Sequence, residues 1–411
     1  MSMAATAQTT REEMARNIDL NAGIYAAYPV RDNKVTPAPK GYKPFYISHY
    51  GRHGSRYLIS DRDYKVVMDR LNDAKAHDAL TPLGESMLAR MDTVWTEARG
   101  RGGELSPLGR RQHKGIARRM YQAYPEVFGP DGQYFASSTT VMRCAHSMFA
   151  FIEGLKECDP SLEIPRESGE RDMHFLNYHT PESNAASSHD GPWYQAYKRL
   201  YAANTKPDRL MKAIFSDPEY VSTWVDPVQF MWDCYWVAAD MQNMETPVRF
   251  YDIFTPEELY DLWEVANFRF FAIASSYAPV GDVHVNDARS LVKDIMDNAD
   301  ATVARGKGRG GKFRFGHDGN IIPLLGLLRV DSCYTDVYEP RKVAGAWNDF
   351  RVSPMGANLQ IVLFRSDKPG APVLAKVLHN EKETRVPVET DIWPFYKWED
   401  LRAYMVSLLG E

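Results

Sequence analysis

The chain has 411 residues, which is enough material for about two to three domains with a sizeable buried core. Its apolar fraction of 44% and charged fraction of 25% are typical of globular proteins, and no run approaches the roughly 18 apolar residues that a membrane span requires. A formal net charge of -5 argues against general affinity for nucleic acid, so an anionic ligand would need a local basic pocket.

The first predicted element is a β-strand over residues 42–48, where the side chains are mainly aromatic or apolar. Gly51 and Gly54 end this run. The sequence Arg-His-Gly-Ser-Arg at residues 52–56 is therefore predicted to lie in a loop that follows a buried strand.

Helices and one further strand follow this loop. Apolar residues at helical spacing predict helices around residues 64–71 and 87–95. The Ser-Pro pair at residues 106–107 combines an N-cap with a favourable first helical residue, so a third helix is expected there. A short strand at residues 134–137 then leads into a helix that carries Arg143 near its start.

The character of the sequence changes in the middle of the chain. Loop-like sequence comes first, and long helical patterns follow at residues 225–244, 256–277 and 282–304. Aromatic residues are frequent here and are expected to pack helices together. We interpret residues 161–304 as an inserted, mainly helical domain.

The strand and helix alternation resumes near the C-terminus. A strand is predicted at residues 312–315, an apolar helix from residue 321, two strands at 359–364 and 373–379, and a helix at 398–409.

Alternating strands and helices predict an α/β fold with a mostly parallel sheet flanked by helices. The predicted division is an α/β core formed by residues 40–160 and 305–411, the insertion at 161–304, and an N-terminal extension at 1–39.

The sharpest chemical signal is the Arg-His-Gly-Ser-Arg sequence, which contains Arg52, His53 and Arg56. Two guanidinium groups provide forked donors for the non-bridging oxygens of a phosphate, and an imidazole between them could attack phosphorus in line. Glycine allows close approach of the backbone. The alternative is a structural histidine flanked by surface arginines.

These residues resemble the signature of the histidine acid phosphatases, branch 2 of the histidine phosphatase superfamily, which includes phytases, glucose-1-phosphatases and multiple inositol polyphosphate phosphatases. Residues 103–109, Gly-Glu-Leu-Ser-Pro-Leu-Gly, are similar to the family segment Gly-x-Leu-Thr-Pro-Leu-Gly, and residues 137–155 are similar to its strand, arginine and helix. The pair at 317–318 matches the family's His-Asp pair. The resemblance covers about residues 45–155 and 310–322, and it implies a phosphoglycerate-mutase-like core.

The resemblance implies that His53 becomes a phosphohistidine and that Asp318 protonates the ester oxygen. The residues that it assigns to binding of the transferred phosphoryl group are Arg52, Arg56, Arg143 and His317. It implies metal-independent hydrolysis of phosphate monoesters without a cofactor, with inositol polyphosphates favoured and sugar phosphates close behind. Phosphoryl transfer chemistry requires the same division of roles. A nucleophile attacks phosphorus, cations stabilise the charge on the equatorial oxygens, and an acid protonates the leaving alkoxide.

Other interpretations of the same residues remain open. A phosphotransferase or mutase would use the same phosphohistidine. A non-catalytic phosphosugar-binding protein would give His53 no chemical role. Asp318 alone would fit the cap of a helix that begins near Asn320. The basic residues between 307 and 314 could contact further phosphates of a polyphosphorylated substrate or form a solvated face.

A metal site is not expected. His49 and His53 have a spacing that would suit two zinc ligands on a helix, but the surrounding sequence is β-prone. His174, His179 and His189 lie in the loop-like region without a short ligand spacing to a carboxylate cluster.

The cysteines and the N-terminus leave the cellular compartment undecided from composition alone. The cysteines form no zinc-type spacing and fit two disulfides or free thiols equally well; they are Cys144, Cys158, Cys234 and Cys333. Residues 5–7, Ala-Thr-Ala, resemble the end of a signal peptide without its charged and apolar regions. We expect a periplasmic or secreted protein whose signal peptide has been removed.

Overall fold

A central sheet of eight strands organises the protein, whose computed structural model describes residues 3–29 and 35–410. The strands are β1 Tyr42–Arg52, β2 Gln133–Ser138, β3 Arg166–Ser168, β4 Gly310–Gly316, β5 Asn358–Ser366, β6 Leu374–His379, β7 Lys382–Glu383 and β8 Phe395–Lys397.

Helices surround the sheet. The α-helices are α1 Met3–Arg16, α2 Asp61–Ala76, α3 Pro82–Ala98, α4 Pro107–Ala123, α5 Met142–Cys158, α6 Met173–Leu176, α7 Pro181–Ala186, α8 Tyr194–Asn204, α9 Asp208–Ile214, α10 Pro218–Trp224, α11 Pro227–Asp240, α12 Pro256–Ala274, α13 Val283–Asn286, α14 Arg289–Ala304, α15 Asp318–Leu327, α16 Pro340–Val343, α17 Asp349–Val352 and α18 Trp398–Leu409. The 3₁₀ helices are Ile18–Tyr25, Pro125–Val127, Glu170–Asp172, Met241–Asn243 and Tyr251–Ile253.

The sheet has a parallel half and an antiparallel half. Strands β3, β2, β4 and β1 lie side by side in parallel, whereas β5 runs antiparallel to β1 and β6 antiparallel to β5. The short strands β7 and β8 both pair with β6 in antiparallel fashion. Five of the eight strands therefore share one direction, and the predicted α/β fold class with a mostly parallel sheet is confirmed.

Apolar side chains cover both faces of the sheet. Helices α4 and α5 pack on one face, where Phe313 and Phe315 of β4 meet Met120 and Phe151 in one hydrophobic cluster. The other face belongs to a larger cluster that also contains the buried side chains of α2, α3, α11, α12 and α14. The helices of the middle of the chain thus share a core with the sheet, and the domain boundaries proposed from the sequence stay predictions.

Local sequence explains where many helices begin. At α3, α4, α7, α10, α11 and α12, a Ser, Thr or Asp side chain accepts a hydrogen bond from the first turn, and proline follows it directly. This arrangement satisfies a free backbone N–H and uses proline where no N–H is needed. The predicted start of α4 after Ser106 is confirmed.

Most predicted elements are present, but the predicted helix at residues 282–304 is divided into α13 and α14, and strands β3, β7 and β8 were not predicted. Strand β1 continues four residues beyond the predicted end at Ser48, up to Arg52. The expectation of loop-like sequence before residue 225 is wrong, because α6 to α10 lie there. These helices have only four to eleven residues, too few turns to show a clear periodicity.

The N-terminal segment is anchored in the protein interior. The buried carboxylate of Asp349 accepts hydrogen bonds from the backbone N–H of Ile24 at 2.9 Å and from Trp263 Nε1 at 2.9 Å. Gly23 has φ of 56°, and a Cβ there would lie 2.6 Å from Asp349 Oδ2, so only glycine fits. These contacts hold the 3₁₀ helix that ends at Tyr25 in a defined position.

Two further observations bear on the sequence expectations. Within residues 3–29 and 35–410, no helix is long and apolar enough to cross a membrane. All four cysteines are free thiols in the structure.

Candidate active site

Three parallel strands, β1, β2 and β4, end at the same edge of the sheet, and the candidate residues lie at that edge. Arg52 at the end of β1 is in register with Gly316 of β4, and Ser138 at the end of β2 is in register with Phe315. Since the carboxyl ends of parallel strands meet at the same edge, the segments that follow the three strands converge. The predicted site residues lie in these segments.

The loop after β1 packs directly against the start of α4. A Cβ on Gly54 would lie 2.6 Å from the carbonyl oxygen of Gly109, and a Cβ on Gly109 would lie 2.2 Å from that of Ser55. The backbone N–H and hydroxyl of Ser106 both donate to the Ser55 carbonyl, at 2.9 and 3.1 Å. The backbone of residues 52–56 therefore packs closely against the segment at residues 103–109, and this close approach explains the glycines at positions 54 and 109.

His53 is held in one tautomer inside this loop. It is 2% exposed, its backbone N–H donates to the carbonyl of Gly316 at 2.9 Å, and its Nδ1 lies 2.9 Å from the carbonyl of Gly54. A carbonyl only accepts, so Nδ1 carries the proton and Nε2 keeps its lone pair. Burial, and then the nearby positive charges beginning with Arg52, hold the pKa of His53 well below its usual value. Both effects favour the neutral imidazole.

Arg52 is fully buried, and both terminal nitrogens of its guanidinium group form hydrogen bonds. Its Nη1 donates to the carbonyls of Ile24 at 2.7 Å and Ser353 at 2.5 Å. Its Nη2 lies 3.3 Å from Oδ2 of Asp318 and forms an ion pair with it. One end of the guanidinium thus anchors the side chain, and the other faces Asp318.

Arg56 and Arg143 supply positive charge without a carboxylate partner. Arg56 donates to the Tyr57 carbonyl at 2.8 Å and to the hydroxyl of Tyr25 at 3.1 Å, and its guanidinium lies 4.8 Å from the centre of the Tyr25 ring. Burial and then repulsion from Arg56 lower the pKa of Arg143. Within the described ranges neither arginine forms an ion pair. Of the three guanidinium groups only that of Arg52 forms an ion pair among the described residues, so positive charge predominates in the pocket.

His317 closes the pocket opposite His53. The two imidazole rings are 5.8 Å apart between centroids and nearly perpendicular. His317 Nε2 lies 3.1 Å from the hydroxyl of Thr139, and burial, followed by repulsion from Arg143, lowers its pKa to about 4. An anion in the pocket would reverse part of this shift, because it favours the protonated ring.

Asp318 is the first residue of α15, so the alternative in which it caps a helix beginning near Asn320 is wrong. His317 occupies the N-cap position, and Asp318 Oδ1 accepts from the N–H of Gly319 at 3.0 Å. The side chain is 29% exposed. Burial raises its pKa, but the attraction of Arg52 and other cations outweighs burial and leaves the pKa below its usual value.

The six predicted site residues thus lie close together beyond the ends of β1, β2 and β4, while their individual roles remain predictions. The basic run before them does not contribute. Arg314 is buried and paired with Asp294 at 2.6 Å, and the Lys312 ammonium lies 4.2 Å from the ring centre of Phe135. Residues 307 and 309 precede β4, roughly 20 Å of strand away from the pocket. The expectation that this run meets substrate phosphates is not supported.

Sequence reasoning missed several contributors to the pocket. Ile24 and Tyr25 lie in the N-terminal extension, to which no role was assigned, and Ser353 lies in a loop before β5. Two of the three act through a backbone carbonyl, which leaves no residue-type signal. In the parts of the chain that the structure describes, no group of three or more His, Cys, Asp or Glu could hold a metal ion.

The comparisons with known proteins agree with this geometry. Residues 51–385 match the family described as the histidine phosphatase superfamily (branch 2). Multiple inositol polyphosphate phosphatase 1 from Gallus gallus is 22% identical over 393 residues, covering 90% of this chain and 83% of the relative.

Two solved structures show the same fold. The multiple inositol polyphosphate phosphatase of Bifidobacterium longum, in complex with inositol hexasulfate, has a TM-score of 0.79 at 19% identity, over 94% of this chain and 97% of that one. The phytase from D. castellii has a TM-score of 0.67 at 14% identity, over 96% and 86% of the two chains. With a family match that spans most of its length, this chain belongs to branch 2 of the histidine phosphatase superfamily and is a histidine acid phosphatase, a phosphoric monoester hydrolase.

Proposed function

We propose that the protein hydrolyses phosphate monoesters of inositol through a phosphohistidine at Nε2 of His53, with Asp318 as the proton donor. One observation carries the proposal: the Nδ1 proton of His53 is committed to the Gly54 carbonyl, so the lone pair of Nε2 is free within a pocket of three arginines. A neutral imidazole with a free lone pair is the nucleophile that this chemistry requires.

In the first step, the lone pair of His53 Nε2 attacks phosphorus and the bond from phosphorus to the ester oxygen breaks. Arg52, Arg56, Arg143 and His317 hold the equatorial oxygens and stabilise their charge. The ester oxygen takes the electron pair of the broken bond and a proton from Asp318, because an alkoxide is a poor leaving group.

Asp318 must be protonated for this step, and the substrate itself favours that state. In the free site the positive charge of Arg52 keeps the carboxylate ionised. A bound phosphate engages the arginine and places negative charge beside the carboxylate, and both effects raise the pKa of Asp318. Substrate binding therefore favours the protonated form of Asp318, which is the form that can act as the general acid.

In the second step, water attacks phosphorus of the phosphohistidine. The Asp318 carboxylate accepts the proton of that water, the N–P bond breaks, and its electron pair returns to Nε2 of His53. The enzyme is then restored with inorganic phosphate bound. The same residue acts as acid and then as base, as reversal of one proton transfer requires.

Inositol polyphosphates are the proposed substrates because the named relatives point to them. The chicken relative is an inositol polyphosphate phosphatase, the B. longum protein binds inositol hexasulfate, and the D. castellii protein is a phytase. Sugar phosphates form the second proposed class, since the pocket that holds the transferred phosphoryl group makes no distinction between alcohols.

The test is release of inorganic phosphate from inositol hexakisphosphate, glucose 1-phosphate, glycerol phosphate and a nucleoside monophosphate, with a chelator present throughout. We expect the largest kcat/KM for the inositol phosphate. Adding glycerol as an acceptor distinguishes hydrolysis from phosphoryl transfer, because a transferase would form glycerol phosphate at the expense of free phosphate. Absence of phosphate release from every ester would contradict the proposal.

A further inference from the structure

A buried asparagine behind the phosphate pocket links two segments that both support Arg56. Asn243 is fully buried at the end of the 3₁₀ helix Met241–Asn243, which follows α11. Its Oδ1 accepts a hydrogen bond from the hydroxyl of Ser55 at 2.6 Å, and its Nδ2 donates to the backbone carbonyl of Tyr25 at 2.9 Å. We call these two hydrogen bonds the Asn243 bridge; they join the loop after β1 to the N-terminal segment.

The direction of each hydrogen bond in the Asn243 bridge is fixed. The Tyr25 carbonyl only accepts, so the amide nitrogen of Asn243 faces Tyr25 and the amide oxygen faces Ser55. Gln112 Oε1 accepts from the backbone N–H of Ser55 at 2.8 Å, and Gln112 Nε2 donates to the Ser55 hydroxyl at 2.8 Å. The hydroxyl proton of Ser55 is then available for Asn243. The bridge therefore has one arrangement in which every donor meets an acceptor.

Arg56 lies between the two ends of the Asn243 bridge. It directly follows Ser55 in the chain, and its Nη2 donates to the hydroxyl of Tyr25 at 3.1 Å. Its guanidinium also lies 4.8 Å from the centre of the Tyr25 ring. The backbone of Arg56 is thus held through Ser55 and its guanidinium through Tyr25. A shift of either support would move the guanidinium relative to the phosphate pocket.

Further hydrogen bonds extend the bridge to the other side of Arg56. The backbone N–H of Leu58 donates to the Tyr64 hydroxyl at 2.8 Å, and this hydroxyl donates to Oδ2 of Asp240 at 2.5 Å. Nδ2 of Asn243 lies 3.3 Å from Oδ1 of the same carboxyl group. These three side chains are fully buried, so the loss of one partner leaves a polar group unsatisfied. One connected network therefore holds the backbone on both sides of Arg56.

We propose that Asn243 is a positioning residue of the reaction, which directs the guanidinium of Arg56 toward the transferred phosphoryl group. The inference rests on the proposed function, in which Arg56 is a ligand of that group. Because Asn243 is fully buried, it acts through Arg56 and does not contact the substrate. It lies 188 residues after Ser55 in the chain, so the helical middle of the protein contributes to the geometry of the pocket.

A double-mutant cycle on vanadate affinity tests whether Asn243 acts through Arg56. Calorimetry measures the binding of vanadate, a phosphate-like oxyanion, without any turnover. Asn243→Ala is expected to weaken vanadate binding roughly tenfold, as for partial loss of a hydrogen bond to a charged group. In an Arg56→Ala background the same substitution should change the affinity by less than about twofold, because the group that it positions is absent. In an Arg143→Ala background the loss should remain roughly tenfold, since Arg143 lies on α5, outside the bridge.

Ser55→Ala is a second variant that breaks the Asn243 bridge at its other end by removing one hydroxyl group. It should give the same vanadate affinities as Asn243→Ala in all three backgrounds. Asn204→Ala is the matched control, because Asn204 is also a buried asparagine but donates to the Asp261 carbonyl at 3.1 Å and to Glu264 at 2.8 Å. We expect this control to keep the vanadate affinity within about twofold of the parent.

Unchanged vanadate affinity in Asn243→Ala and Ser55→Ala would overturn the inference. So would a loss that persists in the Arg56→Ala background, a loss that disappears in the Arg143→Ala background, or an equal loss in Asn204→Ala, because each would show a general effect on the fold or the pocket. The Ser55→Ala cycle decides should Asn243→Ala fail to fold. A parent that binds vanadate but releases no phosphate from any ester would instead contradict the proposed function, whereas the vanadate cycle would still report the position of Arg56.

Discussion

Replacement of Asp318 by asparagine removes the acidic proton and keeps the shape of the side chain. Asparagine has the same shape, and its oxygen can still accept from the N–H of Gly319 at 3.0 Å. What disappears is the acidic proton and the ion pair to Arg52 at 3.3 Å. Arg52 remains anchored by the carbonyls of Ile24 and Ser353, so we expect the pocket to keep its geometry.

The magnitude depends on the leaving group. For an alkyl phosphate, Asp318→Asn should lower the rate by about 10²- to 10⁴-fold, the range of lost general acid catalysis, which corresponds to about 3–5 kcal/mol of barrier. For p-nitrophenyl phosphate the loss should be less than about tenfold, because nitrophenolate leaves without a proton. Inorganic phosphate should bind at least as tightly as in the parent, since the substitution removes a negative charge beside the bound anion.

Single-turnover rates for the two esters, measured with parent and variant, decide the matter. They report the chemical step before breakdown of the phosphohistidine can limit the rate. Vanadate binding serves as the control for an intact pocket. Equal losses on both esters would refute the assignment of Asp318 as proton donor, because both substrates present the same phosphoryl group and differ only in their leaving group.

Four further outcomes are expected. His53→Ala should lower turnover at least a hundredfold on every ester, because no neighbouring group can replace the nucleophile, and smaller losses would contradict that role. Chelators should leave phosphate release unchanged while vanadate inhibits it; zinc-dependent recovery after chelation would speak for a metal. Tyr25→Phe keeps the ring under Arg56 but removes the hydroxyl 3.1 Å from its Nη2, so kcat/KM should fall roughly tenfold, and an unchanged value would deny Tyr25 a role in positioning. Burial lowers the pKa of His113 to about 3 and of His284 to about 4, below the usual 6.5, so only the unfolded chain gains these protons as the pH falls. The contribution of each histidine to the free energy of unfolding should therefore be constant above pH 6.5 and fall by about 2–3 kcal/mol by pH 4.5. The difference in this free energy between the parent and His113→Gln, measured in urea at each pH, should change by about that amount.

The parts of the fold that the sequence predicted are those with strong local signals. Strand β1 is a run of apolar and aromatic residues, and α4 begins at a Ser-Pro pair whose capping geometry is local. Helix α18 spans Trp398–Leu409, the range that its apolar pattern predicted. Helices α6 to α10 were missed because their stability comes from tertiary packing, which a short window cannot reveal.

The strand topology explains why the predicted site residues converge, but it does not explain which groups hold Arg52 in place. Once β1, β2 and β4 are parallel neighbours, their ends must bring Arg52, Arg143 and His317 together. The carbonyls that fix Arg52 are 28 and 301 residues away along the chain, and any residue type could supply them. Of the two alternatives left open for the basic residues 307–314, contact with substrate phosphates is not supported, and the sequence does not show that Asp294 is the ion-pair partner of the buried Arg314.

The unliganded pocket concentrates positive charge that a bound phosphate would offset. Arg52, Arg56 and Arg143 lie close enough for mutual repulsion, and the pKa values of Arg52 and Arg143 are lowered, first by burial. Asp318 forms an ion pair with Arg52, whereas the contacts of Arg56 with the Tyr57 carbonyl and the Tyr25 hydroxyl leave its charge unneutralised. A dianion therefore replaces repulsion by charge-assisted hydrogen bonds, and it binds only the folded protein. Stability must then rise with phosphate or vanadate concentration as RT ln(1 + [L]/Kd), about 2.7 kcal/mol at a hundredfold excess over Kd. The charge arrangement that prepares the site for the transferred phosphoryl group is thus the same one that makes the free protein less stable than its phosphate complex.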